Sequence, residues 1–102
     1  MADGHEITLV NAAVMTNTWR ESSSFELFNG RKAVAFNKDA IARLMIQDGY
    51  EGIRCHFAIT ETGDLDLVIT AYDKQDNDLL IQLVDSGNPC PQFCGDANDL
   101  NN

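Results

Sequence analysis

Two cysteines separated by three residues, Cys90-Pro91-Gln92-Phe93-Cys94, form the sharpest chemical feature of the chain. Thiolates held in a proline-stiffened loop supply half of a zinc site, because structural zinc accepts cysteine spacings of about two to four residues. The missing ligands would have to come from Cys55, His56 or His5. Period-two alternation puts Cys55 and His56 on opposite faces of one strand, so at most one of them converges. Metal binding (zinc or iron) through Cys90 and Cys94 is therefore the alternative expectation, and no cofactor is the leading one. A thiol-redox cycle is the other alternative. It lacks both the thioredoxin spacing and a cation or helix N-terminus after Cys90 to stabilise a thiolate. The simplest expectation is a structural cap in which Pro91 and Phe93 pin the tail across an edge or end of a sheet. Three cysteines make no disulfide scaffold, although Cys90 and Cys94 can pair locally.

Nucleophilic catalysis needs a base near a hydroxyl or thiol, and the chain has only His5 and His56 as histidines. His56 shares a strand face with Arg54, while Asp66, Val68, Thr70 and Tyr72 share a face of the next strand. Together Arg54, His56, Asp66, Val68, Thr70 and Tyr72 predict a mixed patch suited to a small anion or a partner protein. Val68 and Tyr72 add apolar area to an otherwise polar side, which favours an interface, and no catalytic residue is assigned. The acidic turn Asp73-Lys74-Gln75-Asp76-Asn77-Asp78 invites a calcium reading but fails the EF-hand template. Asp78 stands where glycine makes the sharp turn, and Val84 where a bidentate glutamate belongs. A solvated hairpin turn is expected instead.

The elements that must position these groups follow from periodicity. Thr8 caps a first helix over 9–22, with Val10, Ala13 and Val14 at helical spacing, and Ser22, Ser23 and Ser24 end it. Trp19 near its end is expected to pack. Between Phe25 and Phe36, Asn29-Gly30 allows either a small hairpin or a loop feeding one strand, with Ala33 to Phe36 extended. Asn37 caps a second helix over 38–47, in which Ile41, Leu44 and Met45 form a stripe, and Gly49 closes it. Ile53, Cys55, Phe57 and Ile59 alternate with Arg54, His56, Ala58 and Thr60. After Glu61-Thr62-Gly63-Asp64, the residues Leu65, Leu67, Ile69 and Ala71 alternate in turn, which predicts an antiparallel hairpin. A third strand runs from Leu79 to Val84. The odd-numbered face, Cys55 included, is expected to line the core.

Composition narrows the class. The chain has 102 residues, 44% of them hydrophobic, enough for one domain and its core but too few for a large two-domain enzyme. Seven basic against sixteen acidic residues give a net charge of −9, which removes the phosphate attraction behind nucleic-acid binding and disfavours anionic membranes. Met1 to Glu6 show no secretory pattern and no window is apolar enough to span a bilayer, so a cytoplasmic protein is expected.

Gly52-Ile53-Arg54 opening a strand, Leu67-Val68-Ile69 leading to Asp73 and Asn77-Asp78, and Asn88-Pro89-Cys90-Pro91-Gln92-Phe93-Cys94 together resemble a group of small uncharacterised bacterial one-domain proteins. The resemblance spans about residues 7 to 95. It implies the same order of elements and a Pro-Cys-Pro tail, with no activity to carry over; Gln92 departs from that pattern, which has a second proline there. The A-type iron–sulfur carriers share a helix-first layout and a late cysteine pair, but the spacing within the pair and the lack of a third placed cysteine separate this chain from them.

These observations predict a single α+β domain, 1–102, with 1–6 and 96–102 flexible. Two helices pack on an antiparallel sheet of three to four strands, in the order helix-strand-helix-strand-strand-strand. The expected function is a non-enzymatic binding or structural module acting through protein–protein contacts, as a homodimer or with another protein.

Overall fold

Thr8 and Asn37 each accept a hydrogen bond from the backbone amide three residues on, Asn11 at 3.1 Å and Ala40 at 2.8 Å. These caps satisfy amides that the first helical turn leaves open, and they start helices α1 (Leu9–Glu21) and α3 (Lys38–Met45). The computed structural model describes residues 4–85 and 87–102; the expectations for residues 1–3 and for Ser86 lie outside the described residues. Between the two helices lie a short helix α2 (Ser23–Leu27) and a strand β1 (Ala33–Ala35). Then follow β2 (Gly52–Ile59), β3 (Leu65–Tyr72), β4 (Asp78–Val84) and β5 (Asn88–Cys90).

The fold is α+β, as the alternation of helical and period-two segments requires. β2, β3 and β4 make a three-stranded antiparallel sheet in that order, and β1 pairs with β5 in a separate two-stranded ribbon. In the β2–β3 hairpin every odd residue faces an odd one, from Ile53 opposite Ala71 to Ile59 opposite Leu65. β4 joins less regularly: Leu79 lies opposite Ala71 and Val84 opposite Ile69, so extra residues bulge out between them.

The core sits where α3 lies on the odd-numbered face. Leu44 is fully buried against Ile69 and Ala71, with Ile41, Ile53, Leu67, Leu79, Val84, Phe36 and Tyr50 around them. The stripe Ile41, Leu44 thus does the packing that its spacing predicts, while Met45 is exposed. The segment 25–36 takes the loop-plus-strand alternative, entered through α2. Asn29 and Gly30 both have positive φ, but they link a helix to a strand rather than two strands. Trp19 ties this region together. Its Nε1 donates to the Arg31 carbonyl at 2.8 Å, and its ring meets Phe25 edge-on and stacks on Phe28. The tail is tied in turn: Arg20 donates to the Leu100 carbonyl and Lys32 to that of Asn101.

Candidate functional site

Hairpin register builds the even-numbered face of the sheet residue by residue. Arg54 lies opposite Thr70, His56 opposite Val68, Ala58 opposite Asp66 and Gly52 opposite Tyr72, so all six residues of the expected patch share one face. Tyr72 can lie flat there because its partner is glycine: a Cβ on Gly52 would overlap the phenol ring. The Arg54 guanidinium then stacks over that ring, 4.9 Å from its centroid.

The centre of the cluster is a residue the patch omitted. Asp78, first in β4 and opposite Tyr72, accepts from Arg54 Nη1 at 2.6 Å and from Thr70 Oγ1 at 3.1 Å, and its Oδ2 lies 3.3 Å from His56 Nε2. Its signal was in the sequence. A five-residue turn over 73–77 returns the chain with residue 78 beside Tyr72, on the even face. Partial burial works to raise the Asp78 carboxyl. Hydrogen bonds from Arg54 and Thr70 and the charges of Arg54 and His56 outweigh it and hold the group below the ordinary carboxylate value. Asp66 and Thr70 are buried, and Asp66 Oδ1 accepts from the Leu67 amide at 2.8 Å.

The geometry of this cluster is not that of a nucleophilic triad. His56 Nε2 faces both Thr70 Oγ1 and Asp78 Oδ2, each at 3.3 Å, whereas a triad needs acid and nucleophile on opposite ring nitrogens. Thr70 moreover donates its hydroxyl proton toward a carboxylate and is buried, out of reach of a substrate.

The chain matches no family model, no curated protein and no solved structure.

Cys90 and Cys94, the half-site of the alternative metal reading, are joined in a disulfide, so neither offers a thiolate. His56 is committed to the Asp78 cluster and Cys55 stands exposed as a free thiol, leaving no convergent ligand set for the pair. Among the described residues no group of three or more His, Cys, Asp and Glu side chains converges. The tail does not cap the three-stranded sheet through Pro91 and Phe93, which are both exposed; it forms the separate ribbon in which β5 pairs β1, with Ala33 opposite Cys90, Cys90 buried and its carbonyl accepting from the Lys32 amide. The acidic turn spends its carboxylate on itself, since Asp73 Oδ1 accepts from the amides of Gln75 and Asn77.

The odd face of β2 corrects the expectation for Cys55. Leu67, Ile69 and Ala71 of β3 lie under the core, but across the ladder Cys55 is exposed, Phe57 is 87% exposed and Ile59 is 60% exposed. Alternation fixes which side chains share a face. It does not supply a layer to cover that face, and α3 covers only the Ile53 end. Phe57 borders two shallow hollows, one shared with Phe28, Ile59 and Leu65, the other with Arg31, Lys32 and Val34. A larger apolar groove of about 620 Å³ runs between the end of α3 and β4, with Ile46, Leu80 and Ile81 on its walls.

Proposed function

We propose that this chain is a non-enzymatic binding or structural module that works through protein–protein contacts. One observation carries the reading. The chain exposes 7458 Å², against about 5,700 Å² for a compact protein of 11.3 kDa. Its radius of gyration is 15.0 Å, where about 12.8 Å is usual for this length. The excess includes Phe57, Ile59, Ile46, Leu80, Ile81, Val10, Val14 and Leu27, all exposed. Apolar side chains at that density cost free energy in water and are the signature of surfaces that a partner covers. The Arg54–Asp78–His56–Thr70 cluster serves as a fixed polar platform beside them. Its charges are already paired, which suits contact with a protein better than capture of a free anion.

A cytoplasmic, membrane-free setting belongs to the same proposal. The net charge of −9 repels anionic lipid and nucleic acid, and among the described residues no helix is long and apolar enough to cross a membrane. Membership in the group of small bacterial one-domain proteins with a Pro-Cys-Pro tail is likewise proposed on its motifs alone. A second reading, thiol-redox chemistry at Cys90 and Cys94, is favoured by the bond between them: in a reducing compartment a disulfide persists mainly where it cycles.

Photocrosslinking in the source cell tests the contact reading. A photoreactive amino acid placed at Phe57 or Ile81 is expected to give protein adducts, whereas one at the exposed turn residue Lys74 is not. Adducts at none of the apolar positions would refute the proposal.

A further inference from the structure

We propose that β2 is the seam of a homodimer: the β2 strands of two copies pair antiparallel about a two-fold axis at His56, joining two three-stranded sheets into one of six. This rests on the protein-contact reading and names its partner, a second copy of the chain.

The backbone supplies the first argument. The Thr60 amide donates to the Asp64 carbonyl at 2.9 Å, and the β2–β3 register is unbroken from Gly52 to Ile59. In an antiparallel ladder the residues that turn their amides to the neighbour alternate. The even residues of β2 therefore bond to β3, and Ile53, Cys55, Phe57 and Ile59 present their N–H and C=O groups to the open edge. Of these positions Cys55, Phe57 and Ile59 also carry uncovered side chains, while Ile53 packs against the core.

The two edges of the sheet are not equivalent. β4 is blunted by its bulge, a device that discourages edge pairing. β2 is eight residues long, has no bulge, proline or lysine, and its only charged side chain apart from His56, Arg54, is already bonded to Asp78. Nor does it contain an acid, although the chain carries sixteen. Between residues 52 and 59 two strongly acidic molecules therefore meet no acidic side chain, and the carboxylates that face each other, Glu51 and Glu61, stand at the ends of the seam. A heterologous pairing of β2 with β4 would leave both ends of the assembly open and grow a fibre, while β2 on β2 closes after two copies.

Register completes the argument. Only one antiparallel register pairs all four open positions with one another. Ile53 then faces Ile59 of the second copy and Cys55 faces Phe57, on the apolar face, while His56 meets its own counterpart on the polar face. Cross-strand apolar pairs of this kind stabilise a sheet.

Sedimentation equilibrium of the full chain is expected to give twice the 11.3 kDa chain mass. Phe57→Lys is expected to return it to the single mass with an unchanged circular dichroism spectrum, since the Phe57 side chain stands exposed in one copy. In a Cys55→Ser background, His56→Cys is expected to form an intermolecular disulfide on mild oxidation, because facing residues at the axis fall within bridging distance. Thr62→Cys in the same background is not. A monomer at all concentrations overturns the seam, and photocrosslinks to other proteins would then still uphold the contact reading. A dimer that survives Phe57→Lys without cross-linking at position 56 also overturns it, in favour of another face. Cross-linking of the unaltered chain through Cys55 would move the axis and overturn the stated register.

Discussion

Arg54 and Asp78 reach each other over an intervening strand. Nη1 of Arg54 on β2 lies 2.6 Å from Oδ1 of Asp78 on β4, and Thr70 of β3 donates to the same oxygen at 3.1 Å. One carboxylate thus laces all three strands of the sheet on its polar face. The irregular β3–β4 pairing makes that lacing matter, because the ladder between Ala71 and Ile69 is interrupted where β4 bulges. Asp78→Asn keeps the shape but removes the charge that Arg54 and His56 face. It is expected to lower the unfolding midpoint in urea more than Asp48→Asn, an exposed carboxylate with no such partners; equal midpoints would show that the lacing is idle.

The acid limb of stability follows from two carboxyls. Hydrogen bonds from Thr62 and Asn29, then the Arg31 charge and Thr60, hold Asp64 below its ordinary value of 3.8 against the opposing effect of burial, and Asp78 is held down as described above. A carboxyl whose folded value lies below its unfolded one contributes stability that is complete above the unfolded value and is lost as pH falls through the folded one. Unfolding free energy is therefore expected to be level well above pH 3.8 with respect to these groups and to drop below it. Asp64→Asn and Asp78→Asn should each flatten part of that drop. Urea titrations at stepped pH check this, and an unchanged acid limb in the double variant would reject it.

Core packing predicts an asymmetry between the two long helices. Leu44 is fully buried under α3, so Leu44→Ala is expected to cost about 2–5 kcal/mol. Val14 lies on an open face of α1, and Val14→Ala is expected to change stability by no more than about 0.5 kcal/mol. Chemical denaturation of the two variants measures both.

That asymmetry also marks what the sequence could and could not convey. The caps at Thr8 and Asn37, the Ile41–Leu44 stripe and the parity of the 53–72 hairpin are local: each is set by residues a turn or a strand-width apart, and the structure reproduces them. The β1–β5 ribbon joins Val34 to Pro89, a pairing between short segments with no period to announce it. Helix α2 is a single turn of serines and apolar residues that propensity alone reads as a break. Alternation places Cys55 and Phe57 on the core-side face but carries no information about what lies above that face, and there both are exposed. Asp78 belongs by composition to the acidic turn it follows, and only the strand register makes it the first residue of β4.

The cysteines divide into one free and two paired, which fixes a thiol count. Native protein purified without reductant is expected to react at one site per chain, the exposed Cys55, and at three after reduction. The four-residue separation makes the closed loop small, so the bond contributes about 2 kcal/mol through loop entropy. Cys90→Ser with Cys94→Ser is expected to lower stability by about that amount and to loosen the β1–β5 ribbon, read as faster amide exchange at Lys32. Three reactive thiols in the untreated native chain would contradict the pairing.

Salt should strengthen the β2 seam. Each copy carries a charge of −9, and the register that pairs Ile53 with Ile59 brings Glu51 of one copy opposite Glu61 of the other at both ends of the strand. These are exposed charges, repelling across a distance that ionic strength screens: the Debye length shrinks from about 10 Å at 0.1 M to about 3 Å at 1 M. The apolar pairs at the centre gain nothing from charge and lose nothing to screening. Dimer dissociation measured by sedimentation is therefore expected to tighten as sodium chloride rises, and Glu51→Gln with Glu61→Gln should tighten it at low salt and flatten the dependence. An association that weakens with salt would mean that opposite charges hold the two copies together, which a seam of Ile53, Cys55, Phe57 and Ile59 cannot provide.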